Sequence, residues 1–372
     1  MEQLTERRAP QWGRLARRLA VWIIVGVPLA LIVLLAASPD ARYIARAGYE
    51  EARILLKRQS IAALVRDPQT PAALRQRLAL VLAARAFAAD SLHLTAGNTY
   101  TTYAKVGHDT LVLVLQASRR DRLREFTWHY PIVGEVPYKG FFDFGRARRE
   151  AASLEARGYD TFLRPAAAFS TLGYFSDPLL STAIMRDTME LVSTVIHELT
   201  HNTLYVKSHT AFNESFANFV GYRGAQAFFR SRGDTIDAAR AAARWRDERT
   251  LDVFYAELAR RLDSAYAGNL EGQALEQARA RLFGWASAQL TGAVGQSLET
   301  YDWRWFAGEH LNNAVVIAER LYRMNLNLFD EIYLQNGGNL VEAVRAIQVR
   351  VFTQPDRDPY EALYSRAGMP EE

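Results

Sequence analysis

Leu19 to Ala37 is an apolar run without a charged residue. At about 1.5 Å per residue such a run spans about 29 Å, close to the thickness of a hydrocarbon core. Residues 19–37 therefore predict a transmembrane anchor, preceded at 1–18 by a basic tail with Arg7, Arg8, Arg14, Arg17 and Arg18. Basic residues stay on the cytoplasmic side, so the chain after Pro39 is expected outside. In a bacterium with two membranes this means a single-pass inner-membrane protein facing the periplasm. A cleaved signal peptide is the alternative, with Ala36-Ala37-Ser38 as its small-residue site and Pro39 hindering the cut.

Beyond the anchor, Ile44 to Val65 reads as one amphipathic helix, broken at Asp67-Pro68-Gln-Thr-Pro71 and followed by a second helix over Ala72 to Leu92. Thr110 to Leu115 is a short apolar strand, and Gln116 to Glu125 a charged loop. Phe126 to Phe144 alternates around Pro131, Gly134 and Pro137, as strands joined by turns do. A helix over Phe144 to Arg157 ends at Gly158, and Tyr159 to Phe175 supplies the last strand. After Arg230 the spacing is helical over 233–263, 270–299, 309–334 and 338–352, with a peripheral tail beyond Arg357. The pattern predicts an α+β fold, mostly helical, with a small mixed sheet and an N-terminal transmembrane helix. Residues 38–230 hold the first helices and the sheet, and 231–372 a helical part of the same unit.

Composition narrows the classes. The chain is 49% hydrophobic and 23% charged, as globular proteins are. It has no Cys, which excludes disulfides, thiolate metal sites and Cys nucleophiles. The net charge of +4 is not a nucleic-acid footprint, because five Arg lie in the first 18 residues and the remainder is nearly balanced. No nucleic-acid partner is expected.

The candidate chemistry lies between 187 and 217. Asp187 suits a helix cap, Glu190 completes a capping box, and no Gly or Pro follows before Ser208. On that helix His197 and His201 stand one turn apart, so two imidazoles converge on one ion. Glu198 is offset by about 100°, beside such an ion and placed to take a proton from water. Catalytic zinc needs a third protein ligand and an open position. A third histidine six residues after His201 is absent, since Lys207 stands there, and Val220 occupies a second common ligand position. Between Glu198 and Asp234 the only acid is Glu214, on a second apolar run after the polar Lys207-Ser208-His209 break. Small Ala217, near Glu214, would let the two helices approach. His197, His201 and Glu214 are the expected zinc ligands, with His209 as the rival third.

The block Val206 to Ala217, after His-Glu-x-x-His, resembles the bacterial putative aminopeptidase family, a group of gluzincin-like zinc peptidases. The likeness extends to Pro131-Ile-Val-Gly134, Tyr138-Lys-Gly140, Ser170-Thr-Leu-Gly173 and Leu311-Asn312-Asn313-Ala314 with Tyr322, and covers roughly residues 40 to 355. Family members often carry Cys near the mature start and near the Pro-Ile-Val-Gly block, and this chain has none. The resemblance implies one zinc ion on His197, His201 and Glu214, Glu198 as general base, and Tyr322 as oxyanion donor, with His310 a weaker candidate. In related metallopeptidases an edge strand before the zinc helix pairs with the peptide, which points to Ser170, Thr171 and Gly173 as substrate-binding. The implied reaction is zinc-dependent hydrolysis of a peptide substrate, most simply as an aminopeptidase. That label rests on the resemblance, since the candidate strand holds no Glu and Asp177 is its nearest carboxylate. A periplasmic endopeptidase and a non-catalytic anchored scaffold are the alternatives. The bilayer, through residues 19–37, is the second expected partner.

Overall fold

A computed structural model describes residues 22–107, 112–130, 134–166, 178–308 and 310–364. It divides into two compact units, residues 1–56 and 57–372. Residues 231–364 thus share a unit with the sheet and the 187–217 block.

In the first unit a π-helical turn, Trp22–Gly26, leads into an α-helix, Val27–Ala37, and a second helix, Pro39–Leu56. Ser38 sets the bend between them: its hydroxyl accepts the Ala41 amide at 3.1 Å, and Pro39 occupies the first helical position. Arg42 then donates to the Leu35 and Ala36 carbonyls at 2.8 Å, closing the end of the first helix. Val27–Ala37 has no buried residue, and Leu29, Leu31, Ile32, Val33 and Leu34 are all more than half exposed. Among the described residues no single helix is long and apolar enough to cross a membrane. The pair Ile24–Ala37 and Asp40–Leu56 meets that requirement together, bent by 111°.

The expected Ile44–Val65 helix is in fact two helices separated by a strand. It stops at Leu56, Gln59–Ser60 forms a short strand, and Ile61–Arg66 restarts as a helix capped by the Ser60 hydroxyl. The backbone of Gln59 and Ser60 is taken by Tyr103 and Thr102 of a neighbouring strand, which a helical spacing cannot foretell. That strand, Thr102–Ala104, pairs in parallel with Leu179–Leu180, so this small sheet is mixed.

The larger sheet has the order Tyr138–Phe141, Val112–Arg119, Tyr159–Ala166, all antiparallel. Its central strand runs four residues past the expected end at Leu115, because Gln116 to Arg119 pair with Phe162 to Tyr159. The register places Tyr138 and Phe162 on either side of Gln116, and Gly140 and Arg164 on either side of Val114. Positions two apart share a face, so Gln116, Tyr138, Phe162 and Arg164 look the same way. Phe162 packs against the core that contains Val315 and Val316, so this face looks towards the helix Asn313–Tyr322.

Two cores meet along the helix Thr235–Tyr266. Its first half, with Ala238, Ala241 and Trp245, packs with the helices carrying His197 and Glu214; its second half, from Leu251 to Tyr266, packs with 275–316. The expected 309–334 helix is divided at Arg323–Asn325, where Asn325 has φ +54° and the Leu326 amide is held by the Asp252 carboxylate at 2.7 Å. The tail is not peripheral. Pro359–Tyr364 forms a helix whose Tyr360 and Leu363 are buried in the first core.

Candidate metal centre

The helix Thr188–Thr203 starts where the Asp187 carboxylate accepts the Glu190 amide at 2.9 Å. Only half of the expected capping box forms, because the Glu190 carboxylate turns to Arg244, 3.0 Å away. The chain reverses through Leu204–His209 with Ser208 at φ +67°. Asn213 clamps this turn, its carboxamide accepting the Val206 amide and donating to the Val206 carbonyl, both at 2.8 Å. The helix Thr210–Ser231 then returns against the first.

Close approach of these helices depends on missing side chains. A Cβ on Gly221 would lie 3.0 Å from the Ser193 carbonyl and 3.3 Å from His197 Cβ, and one on Gly224 would lie 2.9 Å from Ile196 Cγ2. Ala217 is fully buried on the same helix, as its size suggested, but the glycines set the spacing beside the histidines.

The pairing brings His197, His201 and Glu214 together, their potential ligand atoms within 4.8 Å of one another. The two imidazole Nε2 atoms are 3.3 Å apart; Glu214 reaches His197 Nε2 at 3.4 Å and His201 Nε2 at 3.7 Å. Ligand bonds of about 2.0–2.1 Å at tetrahedral angles place donors about 3.3 Å apart, so the spacing of this set suits a single metal ion. These three residues could hold a metal ion.

The surroundings tune the donors. Asn218 Nδ2 donates to the Tyr322 carbonyl at 3.0 Å, which turns its Oδ1 towards His197 Nδ1, also at 3.0 Å. The neutral His197 ring therefore carries its proton on Nδ1, leaving the Nε2 lone pair free to bind a metal ion. Burial alone would lower the His197 pKa, but the adjoining Glu214 and then Glu198 hold it above the ordinary imidazole value. Burial and the neighbouring His197 push His201 down to about 4. Burial opposes the ionised form of Glu214, yet His197 bonded to it and the charges of His201 and Arg164 keep its pKa below the usual value.

Glu198 is half-buried beside His197, outside the three-donor group, and its charge acts on both His197 and Tyr322. Burial, then Glu214, raises the Tyr322 phenol, so it stays a neutral donor at pH 7. Tyr138, across from Gln116 on the sheet, feels Tyr322 and Glu214 and is pushed by burial up to about 12. His209 is outside the group, its Nδ1 3.6 Å from Asp358, and His310 is exposed ahead of the helix Asn313–Tyr322. Ser170, Thr171, Gly173 and Asp177 lie outside the described residues.

Sequence reasoning missed Asn218, Tyr138 and Arg164. Asn218 had a signal, standing one helical turn after Glu214. Tyr138 stood in a block that carries the family resemblance but was given no role, and Arg164 had no signal, because sheet register brings both to this face. The Asn312-Asn313 pair has a structural task. Asn312 caps the helix Asn313–Tyr322 and donates to the Thr161 carbonyl, while Asp160 holds the Asn313 amide at 2.9 Å, pinning to the sheet the helix that ends at Tyr322.

Fold and site together define an α+β, mostly helical protein with a partly buried two-histidine, one-carboxylate group able to hold a metal ion. The chain belongs to the family described as putative aminopeptidase, whose model matches residues 42–358. No curated protein and no solved structure matches it.

Proposed function

We propose that this chain is a zinc-dependent peptide-bond hydrolase acting as an aminopeptidase, with His197, His201 and Glu214 as ligands. The observation that carries the reading is the convergence of three donors at zinc-like spacing beside a carboxylate that is not one of them. When bound, the ion would supply a Lewis acid for the scissile carbonyl and lower the pKa of water towards about 7. Glu198 takes the proton from the attacking water and delivers it to the leaving amine. The Tyr322 hydroxyl donates to the oxygen on which negative charge develops. Asn218 keeps the His197 ring in the orientation and tautomer that presents Nε2.

Residues 19–37 serve in this reading as a bilayer anchor, with the unit 57–372 in the periplasm. The uncovered apolar surface of Val27–Ala37 and the five Arg before it support that placement.

The test uses zinc-loaded chain with peptides whose N-terminus is free or acetylated. Release of the first residue from free peptides only is expected, with Glu198→Gln keeping its zinc and losing about 10²–10⁴-fold in rate. Equal cleavage of acetylated peptides would replace the aminopeptidase by an endopeptidase. Unchanged turnover in Glu198→Gln would remove that residue from the mechanism.

A further inference from the structure

Five of the arginines packed into this fold pair with acids. Arg223 and Arg249 share Asp330, Arg279 holds Asp160 at 2.6 Å, Arg323 holds Glu248 at 2.6 Å, and Arg244 faces Glu190 at 3.0 Å. Arg77 and Arg85 do not, and their guanidinium groups donate to backbone carbonyls at 2.7–2.9 Å; Arg164, beside the metal centre, has neither kind of partner among the described residues. It is half-buried near the end of the strand Tyr159–Ala166, and no carboxylate among the described residues forms an ion pair with it. Its partners are neutral and distant: Gln116 Oε1 at 3.4 Å from Nε and the Tyr322 hydroxyl at 3.4 Å from a terminal nitrogen. The guanidinium also lies over the Tyr322 ring, 5.4 Å from its centre.

These neighbours fix where the charge sits. Tyr322 is joined through its carbonyl to Asn218 and thence to His197, so Arg164 stands against the residue that flanks the donors. Its field reaches Glu214. A guanidinium has five N–H donors in a fork that fits a carboxylate in bidentate fashion, and among the described residues only two of the Arg164 nitrogens have partners here. Partial burial of an unmatched cation is costly, and an arriving anion would relieve it. The formal charges agree: a divalent ion, Glu214, Glu198 and Arg164 sum to about +1, an excess that a carboxylate group of the substrate offsets locally.

We propose that Arg164 is the specificity residue of this site and binds a carboxylate of the substrate, so that the preferred peptides are anionic close to the bond that is cut. This rests on the peptidase reading above and adds the substrate class. Two sources share that chemistry, the free C-terminal carboxylate of a short peptide and an acidic side chain next to the scissile bond.

The test pairs a tripeptide free acid with its C-terminal amide, and an amide with Asp at the second position with its Asn counterpart. Each is measured with zinc-loaded wild type, Arg164→Gln and Arg164→Lys. Binding of the same peptides is measured by calorimetry in zinc-loaded Glu198→Gln chain, with and without Arg164→Gln, which needs no turnover. A roughly 10- to 100-fold preference for the charged member of at least one pair is expected, lost in Arg164→Gln through KM and affinity with kcat nearly kept. Arg164→Lys, which keeps the charge without the fork, is expected to retain part of it. The pair that shows the preference identifies the source. Peptides bound or cleaved with no charge preference, or a preference untouched in both Arg164 variants, would overturn the proposal and leave the peptidase reading standing. A zinc-loaded chain that binds no peptide would overturn both.

Discussion

His197 Nδ1 lies 3.0 Å from Asn218 Oδ1, and this contact ties the His197 ring to the helix that carries Glu214. Asn218 is itself held by the Tyr322 carbonyl, so three segments distant in the chain converge on one imidazole. The tautomer of His197 follows from that chain of bonds.

Asn218→Ala should leave the fold intact and weaken zinc binding about 10- to 100-fold, as loss of a ring-orienting partner does. Competition against a chelator of known affinity measures it. Affinity equal to wild type would mean that His197 needs no such partner.

Gly221→Ala should destabilise the chain by about 1–3 kcal/mol, because the added methyl meets the Ser193 carbonyl and His197 Cβ in a packed interface. Zinc affinity should fall with it, since the same contact displaces a ligand. Gly284→Ala is the control, its Cβ position having nothing within 4 Å. Equal melting temperatures for Gly221→Ala and wild type would contradict the close approach.

Zinc affinity should depend on pH in two stages. His197 is raised in the ion-free chain, so it adds stability that is complete below the unfolded imidazole value and is lost as pH rises through the folded value. His201 is lowered, so its contribution is present above the unfolded value and is lost as pH falls towards about 4. The ion requires both rings neutral, and the His197 proton therefore competes first. As pH is lowered, affinity should start to drop while pH is still above the ordinary imidazole value of about 6.5, with one proton displaced per ion, and a second proton should compete only near pH 4. An affinity constant between about pH 8 and pH 5 would contradict the assignment of these rings.

The placement of His197, His201 and Glu214 was legible because it rests on helical period, a cap and a short polar break, all local signals. The elements beyond were less so where tertiary contacts override local pattern. Gln59 and Ser60 leave the helix for a strand partner some forty positions on, and Asn325 breaks another because Asp252 holds Leu326. Asp187 caps as expected, but Glu190 is drawn to Arg244, which no spacing within the helix could reveal. Arg164 joins the site through register: Val114 lies opposite it and Gln116, two residues on, accepts from its Nε.

The most direct measurement is the metal content of the purified chain after dialysis against metal-free buffer, wild type beside Glu214→Ala. About one zinc per wild-type chain is expected, and less than about a tenth of that in Glu214→Ala, where two imidazoles alone must hold the ion. Full zinc in Glu214→Ala, or none in folded wild type given excess zinc, would contradict the three-donor centre.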